Sequence, residues 1–572
     1  MLSKLHESLG TAVRPLFAVA TRVIARHYAF RTLGAGASVR LRAAPPDLRT
    51  GDPTVAEDIF SGIFAFRGKT LDAGGLSPFA LTAPSAEWRR ALCGFSWLRH
   101  LRAADTPRAR DYARGLVADY LSRPCPVGDP AREPNVAARR VLSCLAHAPL
   151  LLEGADAPFQ ERLSAALAED ARALARAVMT RRAEGQDRLF CALALLEFVV
   201  CADLAVETRS QATKLFFDEL ARQALPDGGH IGRNPHTILD LLLELLALRA
   251  LYAARGVNAP PALQETIDRM IPALRMLRHG DGALALFNGM SVASPGELAT
   301  VFMHETPFET PEAAPQSGYL RLSAGEALAL IDAGTPPPRK FSRRAHAGAL
   351  SFEFSLGRDR VIINCGAPTR QDDPAQELAR ATAAHSTLEI GGDSSCVFAP
   401  SSEARGSGFV IAGPTAVNWR VRQLKGLIVA RLRHDGYARR FGLIHQRTLA
   451  LAADGASLFG RDRLLAAAGA RIRNVPEFVL HFHLHPGVEA RAVAEDRVEL
   501  RPPNGRTLVF QSRGAPPAIA DSVIYATPEG ARKTAQIVLR GRAAAGTRLR
   551  WSLRRLNSAE IDDDQTRSLA SS

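Results

Sequence analysis

A change of hydrophobic period near residue 310 divides the 572-residue chain into two parts that need different folds. Before this point, apolar residues recur every three or four positions, which is typical of amphipathic helices. After the loop-like segment PFETPEAAPQSG, short alternating runs separated by Gly, Asp and Pro turns continue to Trp551. That second pattern predicts an antiparallel β-sandwich. The chain is long enough for two or three domains.

A succession of helices is predicted before the boundary. Ser85 is the predicted N-cap of the first, which carries Trp88, Leu92, Phe95 and Leu98. The other predicted helices are residues 107–122, 134–147, 158–180, 186–203, 208–223, 236–255 and 261–277. The helix over 236–255 is apolar on nearly all sides and is predicted to be buried. No literal repeat is present, which argues against a short-period solenoid, whereas antiparallel hairpins closing into a ring would suit the pattern.

We predict four parts along the chain. They are a basic N-terminal helix with an irregular arm (1–84), a helical domain (85–310), a β-sandwich domain (311–556) and an acidic, disordered tail (557–572). Three interpretations of the basic, amphipathic N-terminus remain open: a helix docked on the body, a helix on a membrane surface, and an export signal. No apolar stretch of roughly 18 residues occurs, so no transmembrane helix is expected.

The formal charge of +14 and the pI near 10.0 predict an anionic partner, which is a nucleic acid, an acidic membrane surface or an acidic polysaccharide. The excess of arginine is equally explained by genome composition. Basic runs such as RRAEGQDR lack interleaved aromatic residues, so nucleic-acid binding is not expected. No P-loop, dinucleotide fingerprint or GxSxG elbow is present, which excludes nucleotide-dependent enzymes and serine hydrolases. The seven cysteines are scattered without CxxC spacing, which implies no disulfide framework.

Polar residues stand at the ends of three predicted strands between Ser342 and Gly392. In the first strand, apolar residues from Leu350 to Phe354 alternate with Ser and Glu, which predicts a half-buried strand. The second strand contains Val361–Ile363, and the third runs from Ser386 to Ile390. The flanking polar residues are His346, Asn364 and His385. Their convergence would provide a small metal or substrate site.

These motifs resemble the heparinase II/III-like polysaccharide lyases. The segments HAGALSFEF, VIINCG and AAHSTLEIGG resemble the sheet domain of that family, and FHLHPGV resembles one of its recurrent strands. The upstream segment GGHIGRNPHTILDLLLELLALRALYAARGV resembles its central helical segment. The resemblance extends from about Phe95 onward. It implies an incomplete (α/α) toroid followed by an antiparallel β-sandwich.

By this resemblance, Asn234 is the group that binds and neutralises the uronate carboxylate. Neutralisation matters because the C5 proton is too weakly acidic until the carboxylate can accept charge. His236, Arg233 and His230 are close enough in sequence to assist, with Arg233 and His230 as substrate-binding residues. A second interpretation stays open, in which Asn234 is merely a helix N-cap and His236 a first-turn residue.

The chain departs from the family's catalytic pattern at two positions. The expected tyrosine falls near HGDGALALFNG, which offers Phe287 and Asn288, and Asn288 is taken as substrate-binding. The histidine that often precedes the metal-binding one is replaced by Arg344, which we take as a catalytic candidate. His236 or His346 would then have to act as the general base. The general acid is not assigned.

The predicted metal site is also incomplete. His346 and His385 match the family's zinc-ligand histidines, whereas the usual aspartate is replaced by Asn364. Losing the carboxylate weakens a zinc site unless Asp372 or Asp373 completes the shell. Structural zinc and a metal-free pair of hydrogen-bonded histidines are the two open interpretations.

The resemblance implies a lyase that cleaves an acidic, uronate-containing polysaccharide of the heparan sulfate type by β-elimination. The alternative is a non-catalytic glycan-binding or envelope-biogenesis protein on the same scaffold, which the missing catalytic groups favour. The family implies the cell envelope or periplasm, whereas the lack of a clear signal peptide favours the cytoplasm. The compartment and the oligomeric state stay open.

Overall fold

The structure is a computed structural model that describes residues 30, 39–202, 204–304, 309–370, 372–400, 408–469 and 475–556. The predicted acidic tail and, apart from Phe30, the predicted N-terminal helix lie outside the described residues. The chain divides into two compact units. The first contains the chain up to Leu225, Leu239–Asp268 and Gly296–Glu305, and the second contains Pro226–Ile238, Arg269–Pro295 and the chain from Thr306.

The two units do not coincide with the single predicted boundary near residue 310. Pro226–Ile238 and Arg269–Pro295 precede that boundary in the chain but belong to the unit of the later strands. Hydrophobic period reports local conformation and cannot show which distant segments pack together. As a consequence, every residue of the predicted site belongs to the second unit.

The first unit is mainly helical and follows the predicted pattern closely. Its helices, including three that end or begin in the second unit, are α1 (Pro53–Phe60), α2 (Ala86–Cys93), α3 (Leu98–Ala104), α4 (Pro107–Ser122), α5 (Pro134–Ala146), α6 (Ala148–Leu152), α7 (Ala157–Met179), α8 (Gly185–Cys201), α9 (Val206–Gln223), α10 (Pro235–Ala254), α11 (Pro261–Met276) and α12 (Pro295–Phe302). A hairpin of β1 (Ile63–Phe66) and β2 (Lys69–Asp72) precedes α2.

Local signals fix these helix ends. Ser85 accepts a hydrogen bond from the Trp88 amide and caps α2, as predicted. The predicted helix does not continue to Leu98, because Phe95 adopts a left-handed φ of 59° and separates α2 from α3. Pro107 follows the cap Thr106 at the start of α4, where its missing N–H costs nothing. The leucines of α10, including Leu239, Leu242 and Leu246, are buried as predicted.

The second unit contains two antiparallel sheets. Its strands are β3 (Ala313–Ala314), β4 (Tyr319–Ala324), β5 (Ala327–Asp332), β6 (Phe352–Leu356), β7 (Asp359–Ile363), β8 (Leu388–Ile390), β9 (Val397–Phe398), β10 (Val410–Ala412), β11 (Val417–Leu424), β12 (Leu427–His434), β13 (Leu443–Ala452), β14 (Ser457–Ala466), β15 (Glu477–Leu484), β16 (Glu489–Ala494), β17 (Arg497–Arg501), β18 (Leu508–Arg513), β19 (Pro517–Ile524), β20 (Arg532–Arg542) and β21 (Arg548–Arg555). Two short helices, α13 (Ala375–Arg380) and α14 (Ala438–Phe441), lie in connections.

The two sheets have eight and nine strands. The eight-stranded sheet has the order β11-β12-β13-β14-β21-β18-β17-β16, and the other has the order β19-β20-β15-β7-β6-β5-β4-β3, with β8 also paired to β15. Strands β9 and β10 form a separate pair. Among the described residues, no helix is both long enough and apolar enough to cross a membrane.

An aromatic cluster joins the two sheets. Trp551 of β21 stacks on Phe352 of β6 with ring centroids 5.4 Å apart and meets Phe482 of β15 edge-on at 4.9 Å. The Trp551 indole occupies the space beside Gly460, where a Cβ atom would come within 2.0 Å of it. Glycine is therefore required at that position of β14.

A buried polar bridge also joins the sheets. Arg447 of β13 donates to the carbonyl oxygens of Leu350 and Ser386, each at 2.8 Å. Its Nε donates to Asp462 at 2.8 Å, and the other oxygen of Asp462 accepts from the Trp551 indole at 2.9 Å. Because its charge is paired and hydrogen-bonded, this arginine can be fully buried.

The prediction that β6 is half-buried is wrong, because both of its faces are buried. The polar residue Glu353 has no exposed surface. Its carboxylate accepts from the amide of Leu286 at 2.9 Å and contacts Nε2 of His279 at 2.9 Å, and the Nδ1 atom of that ring contacts Ser355 at 3.0 Å. The segment from His279 to Leu286 thus covers the face that the sequence assigned to solvent.

Candidate functional site

The structure brings His346, Asn364 and His385 together, as the strand pattern predicts. Strand β15 pairs with both β7 and β8, so the end of β7 and the start of β8 lie side by side. The Ser386 amide donates to Oδ1 of Asn364 at 2.9 Å. Nδ1 of His346 lies 3.1 Å from Nε2 of His385, with the two rings nearly perpendicular.

The hydrogen bonds determine which nitrogen of each ring carries the proton. Nδ1 of His385 is 2.8 Å from the carbonyl oxygen of Ala381, which can only accept, so this nitrogen carries the hydrogen. Burial lowers the pKa of His385 to about 4, and burial together with His385 and Arg380 holds the pKa of His346 well below its usual value. Both rings are therefore neutral at neutral pH. His346 donates from Nδ1 to His385, and its Nε2 keeps a lone pair.

The loop that carries His346 is held by Arg380. This guanidinium donates to the backbone carbonyls of Ala345 at 2.8 Å and Ser342 at 3.1 Å, and it stacks on Phe398 at 4.0 Å. No hydrogen bond joins Nε2 of His346 to any part of the chain that the structure describes. The ring is thus oriented on one side and keeps an acceptor on the other.

The three residues do not fit the predicted zinc site. Oδ1 of Asn364 already accepts from Ser386, and its Nδ2 donates to Glu353 at 3.0 Å. Both nitrogens of His385 are engaged, one with His346 and the other with Ala381. Zinc needs several imidazole or anionic donors directed at one point, and here the donors are directed at each other. The predicted metal role of Asn364 is therefore corrected to a structural one.

The carboxylates proposed to complete the metal shell are engaged elsewhere. Asp372 accepts from Arg370 at 3.2 Å, and Asp373 accepts from the Ala375 amide at 2.9 Å. Over the ranges that can be described, no group of three His, Cys, Asp or Glu side chains has an arrangement suited to a metal ion. The donor geometry agrees with the alternative of two hydrogen-bonded histidines.

Asn234 lies close to His346 through a shared turn. Its Nδ2 donates to the Gly289 carbonyl at 3.0 Å, while the His346 amide approaches Oδ1 of Asn288 at 3.5 Å. Residues 288 and 289 are adjacent, with Cα atoms about 3.8 Å apart. Oδ1 of Asn234 accepts from the His236 amide at 2.8 Å, so Asn234 makes a helix-capping hydrogen bond at the start of α10. The side chain is buried with 2% exposure.

Arg233 is a structural residue, which corrects its predicted substrate-binding role. Its guanidinium is buried and donates to the carbonyls of Ser317 at 2.6 Å, Thr335 at 2.9 Å and Gly318 at 3.0 Å. It also pairs with Asp332 at 2.5 Å, and the two side chains are 6% and 3% exposed. Four of the five N–H donors of this guanidinium are engaged within the protein and its side chain is buried, so it is not placed to bind a carbohydrate carboxylate.

Asn288 requires the same correction. Its Nδ2 donates to Oδ2 of Asp332 and to the Tyr319 hydroxyl, each at 3.0 Å, and its side chain is buried. The Tyr319 hydroxyl in turn donates to the Arg233 carbonyl. Tyr319 is a tyrosine near the predicted position, but burial raises its pKa and closes it to substrate.

The remaining candidates differ in exposure. His230 is buried, accepts from the Gly232 amide at 3.0 Å, and has its pKa lowered to about 4 by burial, so it is not in a substrate-binding position. His236 is half-buried at the start of α10, and Arg344 is exposed two residues before His346. Of the candidates in this region, Arg344 is the exposed one, whereas the His346 side chain is buried with 5% exposure.

Two residues that organise the site were missed from the sequence. Glu353 holds Asn364 and the segment from His279, and Arg380 holds the His346 loop. Glu353 is one of the polar residues that alternate with apolar ones in β6. Alternation alone does not distinguish a solvent-exposed polar face from one that is buried under another segment. No comparable signal marks Arg380, because its acceptors are backbone carbonyls.

Comparisons with known proteins agree with this architecture. The family description "Heparinase II/III-like, C-terminal" matches residues 306–552. A protein of Caulobacter vibrioides named FtsZ-localized protein C is 31% identical over 535 residues, which covers 90% of each chain.

Several solved structures share the fold. Heparinase III matches with a TM-score of 0.70 and 12% identity, over 96% of this chain and 92% of that one. Heparan sulfate lyase HepC from Pedobacter heparinus matches with a TM-score of 0.58 and 15% identity, over 90% and 85%. At these identities the likeness concerns the fold alone. It confirms the predicted fold class of a helical (α/α) toroid followed by an antiparallel β-sandwich.

Proposed function

The chain belongs to the heparinase II/III-like family, and on that basis we propose that it uses the family scaffold as a non-catalytic binding protein recruited to FtsZ. The relative that is 31% identical over nine-tenths of the chain is named for its localisation to FtsZ. Similarity over 90% of both chains supports a shared role for the whole protein.

The single observation that carries the non-catalytic part is the internal use of the predicted substrate-binding groups. β-Elimination needs a free donor to neutralise the uronate carboxylate, a base for the C5 proton and an acid for the departing O4. Arg233 and Asn288 are engaged with backbone and Asp332, and Asn234 is buried as a cap. The internal engagement of these groups supports a non-catalytic role.

Two assays test the proposal. The purified full-length chain is expected to sediment with polymerised FtsZ from the same organism and to stay in the supernatant without FtsZ. Incubation with heparin, heparan sulfate, alginate and hyaluronan is expected to give no ultraviolet absorbance from unsaturated uronate. Absence of co-sedimentation overturns the FtsZ part, and product formation overturns the non-catalytic part. A glycan that is retained but uncleaved would support the binding alternative in place of FtsZ.

A second candidate function, cleavage of an acidic polysaccharide, is favoured by one observation. Nε2 of His346 is an unengaged acceptor on a neutral ring oriented by His385. Such a base would take the C5 proton, the electron pair of the C5–H bond would form the C4–C5 double bond as the C4–O4 bond breaks, and O4 would take a proton from water. Product formation that is lost in His346→Gln but kept in Arg339→Gln, an exposed site nearby, would establish this function.

A further inference from the structure

The outer side of the eight-stranded sheet carries arginines aligned across the strands. The register places Arg420, Arg431, Arg461, Arg550 and Arg513 in one row, with Thr448 at the β13 position. The row crosses β11, β12, β13, β14, β21 and β18. At a spacing of about 4.8 Å between strands, the row is about 24 Å long. We call the outer side of these six strands the arginine face.

The arginines of this face form more than one row, so they are spread along the strands as well as across them. Two residues away along the strands, a second row contains Arg433, Arg463 and Arg548. On the other side of the first row, Arg422 is paired in register with Val429. No Asp or Glu stands at an outward position in these six strands, as the register of the described residues shows. The inward positions carry core residues and the mutually neutralising pair Arg447 and Asp462, so the excess positive charge is confined to the outer side.

At the other end of the same sheet, on β16 and β17, the arginines are paired with acidic residues. On β16 and β17, Glu499 pairs with Arg501 at 2.7 Å and with Arg491 at 3.9 Å, and Arg497 lies 3.6 Å from Asp496. The exposed arginines Arg420 and Arg431, by contrast, have no acidic partner among the residues that the structure describes. At these two positions the like charges are not balanced by a described acidic residue, and an external anion would relieve their repulsion.

Mutual repulsion within the arginine face is visible at its centre. The pKa of Arg461 is lowered, first by burial and then by the neighbouring Arg463, Arg431, Arg550 and Arg548. The cluster therefore gains the most from an anionic partner that contacts several arginines at once. Arginine suits this role because its planar fork can form two hydrogen bonds to one phosphate.

The arrangement distinguishes between kinds of polyanion. A linear polyanion would contact one row, whereas arginines spread over several rows and six strands match anions spread over a surface. Single-stranded nucleic acid would require exposed aromatic side chains for stacking, but Phe459, the aromatic residue on the face, is buried. Leu424, on the same side of β11 as Arg420 and Arg422, is 45% exposed at the hairpin tip. An exposed leucine beside arginines suits a lipid headgroup region.

We propose that the arginine face docks on the surface of a bilayer that contains acidic phospholipids. The phosphate groups would neutralise the two-dimensional array, and Leu424 would enter the headgroup region. This inference is independent of recruitment to FtsZ, because it concerns another surface and another partner.

The test compares two variants of the full-length chain that lose the same charge. The face variant combines Arg420→Gln, Arg431→Gln and Arg550→Gln, and the control variant combines Arg491→Gln, Arg497→Gln and Arg501→Gln on β16 and β17. Binding is measured by co-sedimentation with vesicles of equal parts phosphatidylglycerol and phosphatidylcholine, and with vesicles of phosphatidylcholine alone. Both variants keep the basic N-terminus, so its contribution is the same in each.

The wild type is expected to bind the acidic vesicles and not the neutral ones, and more weakly at high salt. If each basic residue near the surface contributes about 1 kcal/mol, three correspond to a loss of about a hundred-fold. We expect at least a tenfold loss for the face variant and no more than about a threefold loss for the control.

Several results would overturn the proposal. An equal loss in both variants would mean that binding follows net charge and not this face. Binding to neutral vesicles, or no binding to acidic ones, would remove the lipid partner. Tighter binding of heparin or DNA than of acidic vesicles, weakened only in the face variant, would assign the face to a linear polyanion.

Discussion

Replacing Arg233 with methionine tests whether this residue is structural or ligand-binding. Its guanidinium pairs with Asp332 and donates to three backbone carbonyls, with both side chains nearly inaccessible to solvent. In Arg233→Met, the Asp332 carboxylate stays buried without its counter-charge. A residue that only bound substrate would be replaced with little effect on folding.

The magnitude follows from the buried pair. Removing one partner of a buried ion pair costs about 3–5 kcal/mol. Asp332 keeps hydrogen bonds from Asn288 at 3.0 Å and from the Gly334 amide at 3.2 Å, so we expect the lower end, about 3 kcal/mol. Methionine fills part of the space beside Gly334, where a Cβ atom would lie 2.5 Å from the guanidinium.

Hydrogen exchange read by mass spectrometry suits this two-unit chain, because a single unfolding free energy is not defined for it. Amides of β4 and β5, which carry Tyr319 and Asp332, should lose about 3 kcal/mol of protection, while helices α4 to α9 should be unchanged. Arg339→Met, an exposed arginine seven residues beyond Asp332, is the control and should stay within about 0.5 kcal/mol of wild type.

A double variant separates the ion pair from general packing. Adding Asp332→Asn to Arg233→Met removes the unpaired charge, so the double variant should lose less stability than the sum of the single ones, by about 1–3 kcal/mol. Protection in Arg233→Met that equals that of Arg339→Met would refute the assignment of Arg233 as a buried structural residue.

Three further predictions concern titration and metal. His385 has a pKa of about 4 in the folded state and a higher one when unfolded, so its contribution to stability is complete above pH 6.5 and declines as the pH falls toward 4. His385→Asn should therefore flatten the fall in the stability of the second unit over that range by up to about 3 kcal/mol, as measured by the hydrogen-exchange protection of β7 and β8, and an unchanged slope would contradict the buried neutral ring. Metal analysis of the purified chain should find much less than one equivalent of zinc, whereas one equivalent that disappears in His346→Ala would contradict the donor geometry. Burial, followed by the charge of Glu244, raises the pKa of Glu197, so its contribution to stability is present at low pH and lost as the pH rises. Glu197→Gln should raise the stability of the first unit by about 1–3 kcal/mol at pH 8 and leave it unchanged near pH 4, as measured by the hydrogen-exchange protection of helix α8 at both pH values.

Much of the fold could be predicted because its signals are local. Helix α4 occupies Pro107–Ser122, the predicted residues, since its apolar spacing, its threonine cap and its first-turn proline all lie within the segment itself. Strands β6 and β7 and the turn between them were likewise visible from alternation and Gly357. Local conformation of this kind depends on residues a few positions apart.

The sequence predicted which residues of the site lie close together, but not which hydrogen bonds they form. The convergence of His346, Asn364 and His385 followed from where each stands relative to its strand. Their hydrogen-bond partners, such as Ser386, Ala381 and Glu353, could not be predicted in this way. The sequence shows which polar groups are present, whereas only the tertiary structure shows which of them are hydrogen-bonded to one another.

The sequence by itself determined the order of helices and strands, the family and the basic charge of this protein. Tertiary structure alone decided that Arg233 reaches Asp332, 99 residues away, and that the polar side of β6 is covered. It also decided that arginines from five strands stand in one row. The physical reason is that periodicity reports the direction of a side chain from its own element, whereas a partner comes from whatever distant segment packs against it.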